Sequence, residues 1–163
     1  MTRFILTASC ALLLAACGGG RDVAPPMANI VPMPDPAAST SQARSVEAGI
    51  NANRTAAGLK PLAHSGQLAA AAAAHARDMA TRGYFDHIAP DGSTPAQRVK
   101  AQGYRSCLTA ENIARGQPDA AAVVTTWMNS PGHRANNLNR KVTQIGAARA
   151  DGPTWVVVLA RPC

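Results

Sequence analysis

Three polar side chains stand in neighbourhoods that do not otherwise call for them: His87 in GYFDH (residues 83–87), Glu111 in AENIA (110–114) and His133 in NSPGHRANN (129–137). Ser130 and Pro131 have the types of a helix N-cap and first helical residue, which places His133 in the first turn. There the positive end of the helix dipole disfavours imidazolium. The ring is kept neutral and free to accept a proton or a metal. His87 follows two aromatic residues in a loop. Glu111, one of two glutamates in the chain beside Glu47, lies among small and apolar residues where a carboxylate needs partners. Two further histidines carry less. His75 falls on the apolar stripe of a helix, as a packed or half-exposed core edge, and His64 precedes that helix in a polar loop. Asp86 is expected as a solvated turn residue.

The elements that must position these groups are legible from periodicity and punctuation. A first helix is expected over Gln42 to Ala57, with Val46, Ile50 and Ala57 on one face and Gly58 as its stop. A second starts from a Ser65 cap, carries Leu68, Ala72, His75 and Met79 at alternating spacings of four and three, and ends at Gly83. Thr94-Pro95-Ala96-Gln97 is a capping box for a short helix to about Ala101. After Gly103 the chain should be extended or irregular around Glu111, and Asp119 to Asn129 form another helix. KVTQIGAARA and TWVVVLARP, separated by Asp151-Gly152-Pro153, read as a hairpin. The second of those strands is apolar from Trp155 to Ala160, so both faces need cover. Helices first and an antiparallel pair last point to an α+β domain with an antiparallel sheet between helical layers. Trp127 and Trp155 are assigned to the core.

The 163 residues suffice for one domain. The apolar run Phe4 to Ala16 is shorter than the ~20 residues of a membrane span and reads as a signal peptide over residues 1–16. It ends in LAAC, which resembles a bacterial lipobox, so Cys17 is expected to be lipidated. Residues 17–40, with five prolines and three glycines, form an extended linker, and residues 41–163 form the folded domain. The expected place is the bacterial envelope, lipid-anchored, in the outer membrane facing the periplasm or at the cell surface. Cys107 and Cys163 remain to pair as a disulfide in an oxidising compartment. The chain carries a formal charge of +7. Its arginines are scattered without a dense cluster or interleaved aromatics, which argues against nucleic-acid binding and is compatible with an anionic envelope surface. A monomer is expected.

In order, the chain shows INANRTAAGLKPL, GYFDH, PDGSTPAQR, GY, AENIA, WMNSPGHRANN and IGAA. This succession, over residues 46–160, resembles the cysteine-rich secretory protein, antigen 5 and pathogenesis-related 1 (CAP, or SCP-like) family, and most closely its bacterial branch. The resemblance implies an α-β-α sandwich and a central cavity lined by two histidines and two glutamates, with zinc or another divalent metal on the histidines in some relatives. His87, Glu111 and His133 match three of those four positions. The fourth, three residues after Trp127, is Ser130 here.

Two neutral imidazoles and one carboxylate suffice for a three-ligand zinc site with water as the fourth ligand. Alternatively, Glu111 holds a histidine without touching metal, or the histidines are buried and lock the sandwich together. Asn112, Asn136 and Asn137 are expected to satisfy backbone groups near the cavity, with Ser130 as N-cap beside them. The favoured function is a binding module for a small hydrophobic ligand, a divalent metal or an envelope component, since eukaryotic relatives bind sterols or fatty acids. A zinc-assisted hydrolase with Glu111 as the catalytic base is the alternative, although the chain has neither HExxH nor GxSxG. A structural domain with a vestigial cavity is the third.

Overall fold

The structure is a computed structural model that describes residues 36–163, with side chains from residue 39 onward. The signal peptide, Cys17 and the linker up to residue 35 lie outside the described residues. The elements, in chain order, are α1 (Pro36–Ala56), β1 (Ala63–His64), α2 (Gly66–Arg82), α3 (Pro95–Ala101), β2 (Ser106–Arg115), α4 (Ala120–Asn129), α5 (Pro131–Asn137), β3 (Gln144–Ala150) and β4 (Thr154–Pro162). No described helix is long and apolar enough to cross a membrane.

β4 is apolar at every position because it is central. The strand order is β1-β3-β4-β2, so β4 has a neighbour on each side and a helical layer on each face. On one face α1 and α4 bury Val46, Ile50, Val123 and Trp127 against Ile145, Trp155, Val157 and Leu159. On the other, α2 and α3 bury Leu68, Ala72, Met79 and Val99 against Ile113, Val156 and Val158. The result is an α-β-α sandwich. Each large side chain that leaves water completely contributes about 1.5–3 kcal/mol.

The sheet is mixed, which differs from the antiparallel sheet read from the sequence: β3 and β2 run antiparallel to β4, while β1 pairs parallel to β3 through Ala63 and His64. Two residues are too few to show periodicity, so His64 looked like part of a loop. α1 also begins earlier than expected. Pro36 can lead a helix because its missing N–H is unpaired there anyway, so this proline opens α1. Ala57 lies beyond the helix end and is exposed. Arg54 takes the buried position instead, donating to the carbonyls of Lys60, Asn137 and Asn139 at 3.1, 2.8 and 2.9 Å. Burial holds its pKa below the usual arginine value.

Local signals fix α2 and α3. The Leu68 amide donates to the Ser65 side chain, and Gly83 closes α2 in the left-handed region at φ 74°. Around α3 the capping box is complete: Thr94 N–H donates to Gln97 Oε1 at 2.8 Å, and Gln97 N–H to Thr94 Oγ1 at 3.3 Å. The alanines of α2 bring it close to β3, where a Cβ at Gly146 would collide with the Ala69 amide nitrogen and the Leu68 carbonyl carbon. That contact explains the glycine of IGAA. Cys107, at the start of β2, is disulfide-bonded to Cys163, 56 residues on, joining β2 to the end of β4.

Candidate functional site

Glu111 and Asn112 are consecutive on β2, so their side chains leave the strand on opposite faces. That alternation splits the candidate residues into two groups, one on each side of an outer strand. Glu111 projects toward α2 and α3, and its side chain is 2% exposed. His87 Nδ1 lies 2.8 Å from Glu111 Oε1, and Arg98 Nη2 donates to both carboxylate oxygens at 3.2 and 2.9 Å. Arg98 is delivered by the capped start of α3. Its guanidinium also donates to the carbonyls of Ser93 at 2.7 Å and His87 at 2.9 Å, so one side chain holds both the carboxylate and the histidine loop.

His75 stands behind the carboxylate, 3.8 Å from Glu111 Oε1 and with no exposed side-chain surface. Its Nε2 lies 3.0 Å from the Asp86 carbonyl. A carbonyl can only accept, so Nε2 carries the proton. Nδ1 faces the Tyr84 hydroxyl at 3.3 Å, and that hydroxyl donates to Asp78 at 2.6 Å. Burial, above the opposing effect of Glu111, lowers the His75 pKa. Burial, followed by the bond to Asp78, pushes Tyr84 well up.

On the other side of β2, the Asn112 side chain donates to the His133 carbonyl at 3.1 Å and to Asn137 Oδ1 at 2.9 Å. Asn136 donates to Asn112 Oδ1 at 2.8 Å and to the Glu111 carbonyl at 3.3 Å. The outer edge of β2 is therefore covered by amide side chains and by the Trp127 indole, which donates to the Ile113 carbonyl at 3.2 Å. These bonds fix α5, and with it His133. Ser130 is at the N-cap position but makes no side-chain cap bond. Its hydroxyl meets His133 Nδ1 at 2.9 Å instead, a correction to its reading as a capping side chain.

Each histidine is thus held through Nδ1, His87 by a carboxylate and His133 by a hydroxyl. Neither Nε2 has a hydrogen-bond partner among the described residues. The bond to Glu111 raises the His87 pKa above its ordinary value. Burial, and then the charge of His87, lowers that of His133. Asp86 is an exposed turn residue whose Oδ1 accepts from the Ile88 amide at 2.9 Å.

For two members of the cluster the sequence does not indicate a place at the site. Arg98 was hidden as one of many scattered arginines, although its place just inside a capping box after a histidine loop was a usable signal. His75 was treated as a helix-face residue, and only tertiary packing reveals that its stripe faces a carboxylate. A groove of about 810 Å³ lies between α1, α2 and β3, and His87, Glu111 and His133 do not line it.

Glu111 is engaged by Arg98 and His87. Among the described residues no group of three or more His, Cys, Asp or Glu side chains is gathered in a way that could hold a metal ion.

Residues 48–160 match the cysteine-rich secretory protein (CAP) family profile. The chain is 42% identical over 106 residues to the uncharacterized protein YkwD of Bacillus subtilis, covering 64% of this chain and 41% of that one. Among solved structures, it superposes on an extracellular SCP-domain protein of Bacillus anthracis with TM-score 0.73 at 30% identity, over 76% of this chain and 41% of that one. It superposes on an outer surface protein of Borrelia burgdorferi with TM-score 0.70 at 25% identity, over 76% and 94% of the two chains. The chain thus spans less than half of both Bacillus proteins.

Proposed function

Because the chain belongs to the CAP family, we propose that it is an envelope-anchored binding module in which His87 and His133 together present their Nε2 atoms to a divalent cation such as zinc or to a small ligand. The observation that carries this reading is the hydrogen bonding of the rings: each is fixed through Nδ1, by Glu111 and Ser130, leaving the other nitrogen unpaired. Back-bonding of this kind orients histidines that bind metal. A bound cation would supply Lewis acidity and a point for an anionic group to attach.

Glu111 is a positioning residue in this scheme. A hydrolase would need it to take a proton from water, yet both of its oxygens are held by Arg98 and one also by His87. The binding reading is favoured over the catalytic one for that reason. The exposed Phe85 and Ile88, 46% and 47% exposed, flank the histidine loop and support an apolar component in the ligand. Anchoring through Cys17, at the outer membrane or cell surface, is supported by the LAAC motif and by the surface or extracellular placement in the descriptions of the two structural neighbours.

Calorimetric titration of the full chain with zinc tests the site. We expect saturable binding that the double variant His87→Ala/His133→Ala abolishes while circular dichroism shows the fold retained. Zinc uptake equal to wild type in a folded double variant would end the proposal. Loss of fold in that variant would instead assign the histidines to structure.

A further inference from the structure

The groove between α1, α2 and β3 has the geometry of an open sheet edge. β1 pairs with β3 only at Gln144 and Ile145, leaving Gly146 to Ala150 without a neighbouring strand on that side among the described residues. Alternate residues of a strand direct their backbone groups to alternate edges. The Ser65 amide donates to the Ile145 carbonyl at 2.8 Å, so the groups of Ala147 and Arg149 face the same open edge. The Ala147 amide is taken there by Glu47 Oε1 at 3.0 Å. The Ala147 carbonyl and both backbone groups of Arg149 have no such partner among the described residues.

The walls are built to admit something narrow. Ala69, Ala73 and Ala80 line it from α2 and Ala43 from α1, and their small side chains keep it open beside the strand. Five residues of edge give about 16 Å of strand length. The charge is uneven. Arg44, Arg77 and Arg149 line the groove against Glu47 and Asp151, and Glu47 is already engaged by Arg44, His64 and the Ala147 amide. The guanidinium of Arg149 lies over the Trp155 ring, 5.3 Å from its centroid, and its buried Nε has no hydrogen-bond acceptor among the described residues.

We propose that this edge of β3 docks an extended acidic peptide segment of another protein, which adds to the sheet as a further strand and places a carboxylate on Arg149 and Arg77. A peptide is favoured over an alkyl chain because the edge presents unpaired backbone donors and acceptors. An alkyl chain would bury them unsatisfied, whereas a strand satisfies them. Glu47 limits the contact to the Ala147 carbonyl and the backbone groups of Arg149 by occupying the Ala147 amide. This inference does not rest on the histidine site.

Fluorescence polarisation tests it with the full chain and a fluorescein-labelled, amidated pentapeptide Val-Ala-Asp-Ala-Val. We expect saturable binding at submillimolar concentration, about tenfold weaker for the Asn counterpart and for Arg149→Gln. Binding should be lost when alternate peptide amides are N-methylated and in Ala73→Trp, which fills the groove from a helix surface and leaves the melting temperature near wild type. Absence of binding by the acidic peptide, or binding indifferent to N-methylation or to Ala73→Trp, would overturn the proposal. His87→Ala/His133→Ala should leave peptide binding unchanged.

Discussion

Replacing Glu111 by glutamine keeps the shape of the side chain and removes its charge, and the structure sets the size of the effect. The carboxylate is 2% exposed and its partner Arg98 is 11% exposed, 2.9 Å away, so solvent screens the pair little. Removing one partner of such a pair costs about 3–5 kcal/mol. The glutamine oxygen can still accept from Arg98, which returns about 1 kcal/mol, and Arg98 keeps its bonds to the Ser93 and His87 carbonyls. The net loss is about 2–4 kcal/mol, or roughly 10 °C in melting temperature for a domain of this size.

The loss should also depend on pH. His87 has its pKa raised chiefly by the bond to Glu111. Its contribution to stability is fully present below the unfolded-state histidine pKa and is lost as pH rises through the folded value. The penalty of Glu111→Gln should therefore be larger at pH 5 than at pH 8. Thermal unfolding at both pH values, with NMR titration of the His87 ring, measures the two effects together. A melting temperature within about 2 °C of wild type at both pH values, with His87 titrating unchanged, would refute the placement of Glu111 as the group that holds the histidine and the arginine.

Zinc affinity should rise with pH from 6 to 8, because the cation must displace a proton from His87, whose pKa is raised, more than from His133, whose pKa is lowered; calorimetry across that range showing a flat affinity would remove His87 as a ligand. Ser130→Glu should raise the His133 pKa, seen by NMR titration, and strengthen zinc binding about tenfold by placing a negative charge where the hydroxyl now meets Nδ1 at 2.9 Å. Gly146→Ala should destabilise the domain by about 3 kcal/mol or more in urea unfolding, since the new methyl group would meet the backbone of α2.

The layers were legible because their signals are local and redundant. The uninterrupted apolar run of β4 demanded cover on both faces, and Ser65, Gly83 and Thr94 marked helix ends with side chains or conformations that have few alternatives. β1 was not legible, since two residues carry no pattern, and the early start of α1 was masked by prolines that also suit a linker. Glu111 could be picked out because a carboxylate among apolar residues creates a need that must be met. What met it could not be read: Arg98 lies 13 residues away in sequence and His75 lies on another helix. Charge partners on separate elements leave no joint signature in one chain.

Ser130 changes the charge around His133. A hydroxyl keeps the hydrogen bond that orients His133 and drops the charge a glutamate would bring, so nothing in contact with that ring favours its protonated form, and burial lowers its pKa. Across β2 the charge of Glu111 is offset by Arg98 at 2.9 Å. A divalent cation held by His87 and His133 would therefore find little compensating negative charge in the protein, and its remaining positions would favour anionic oxygen ligands from outside. Such a cation, if the proposed site holds one, would be better suited to bridging a carboxylate or phosphate of a partner than to activating water, because activation requires a free base and Glu111 is held by Arg98 and His87.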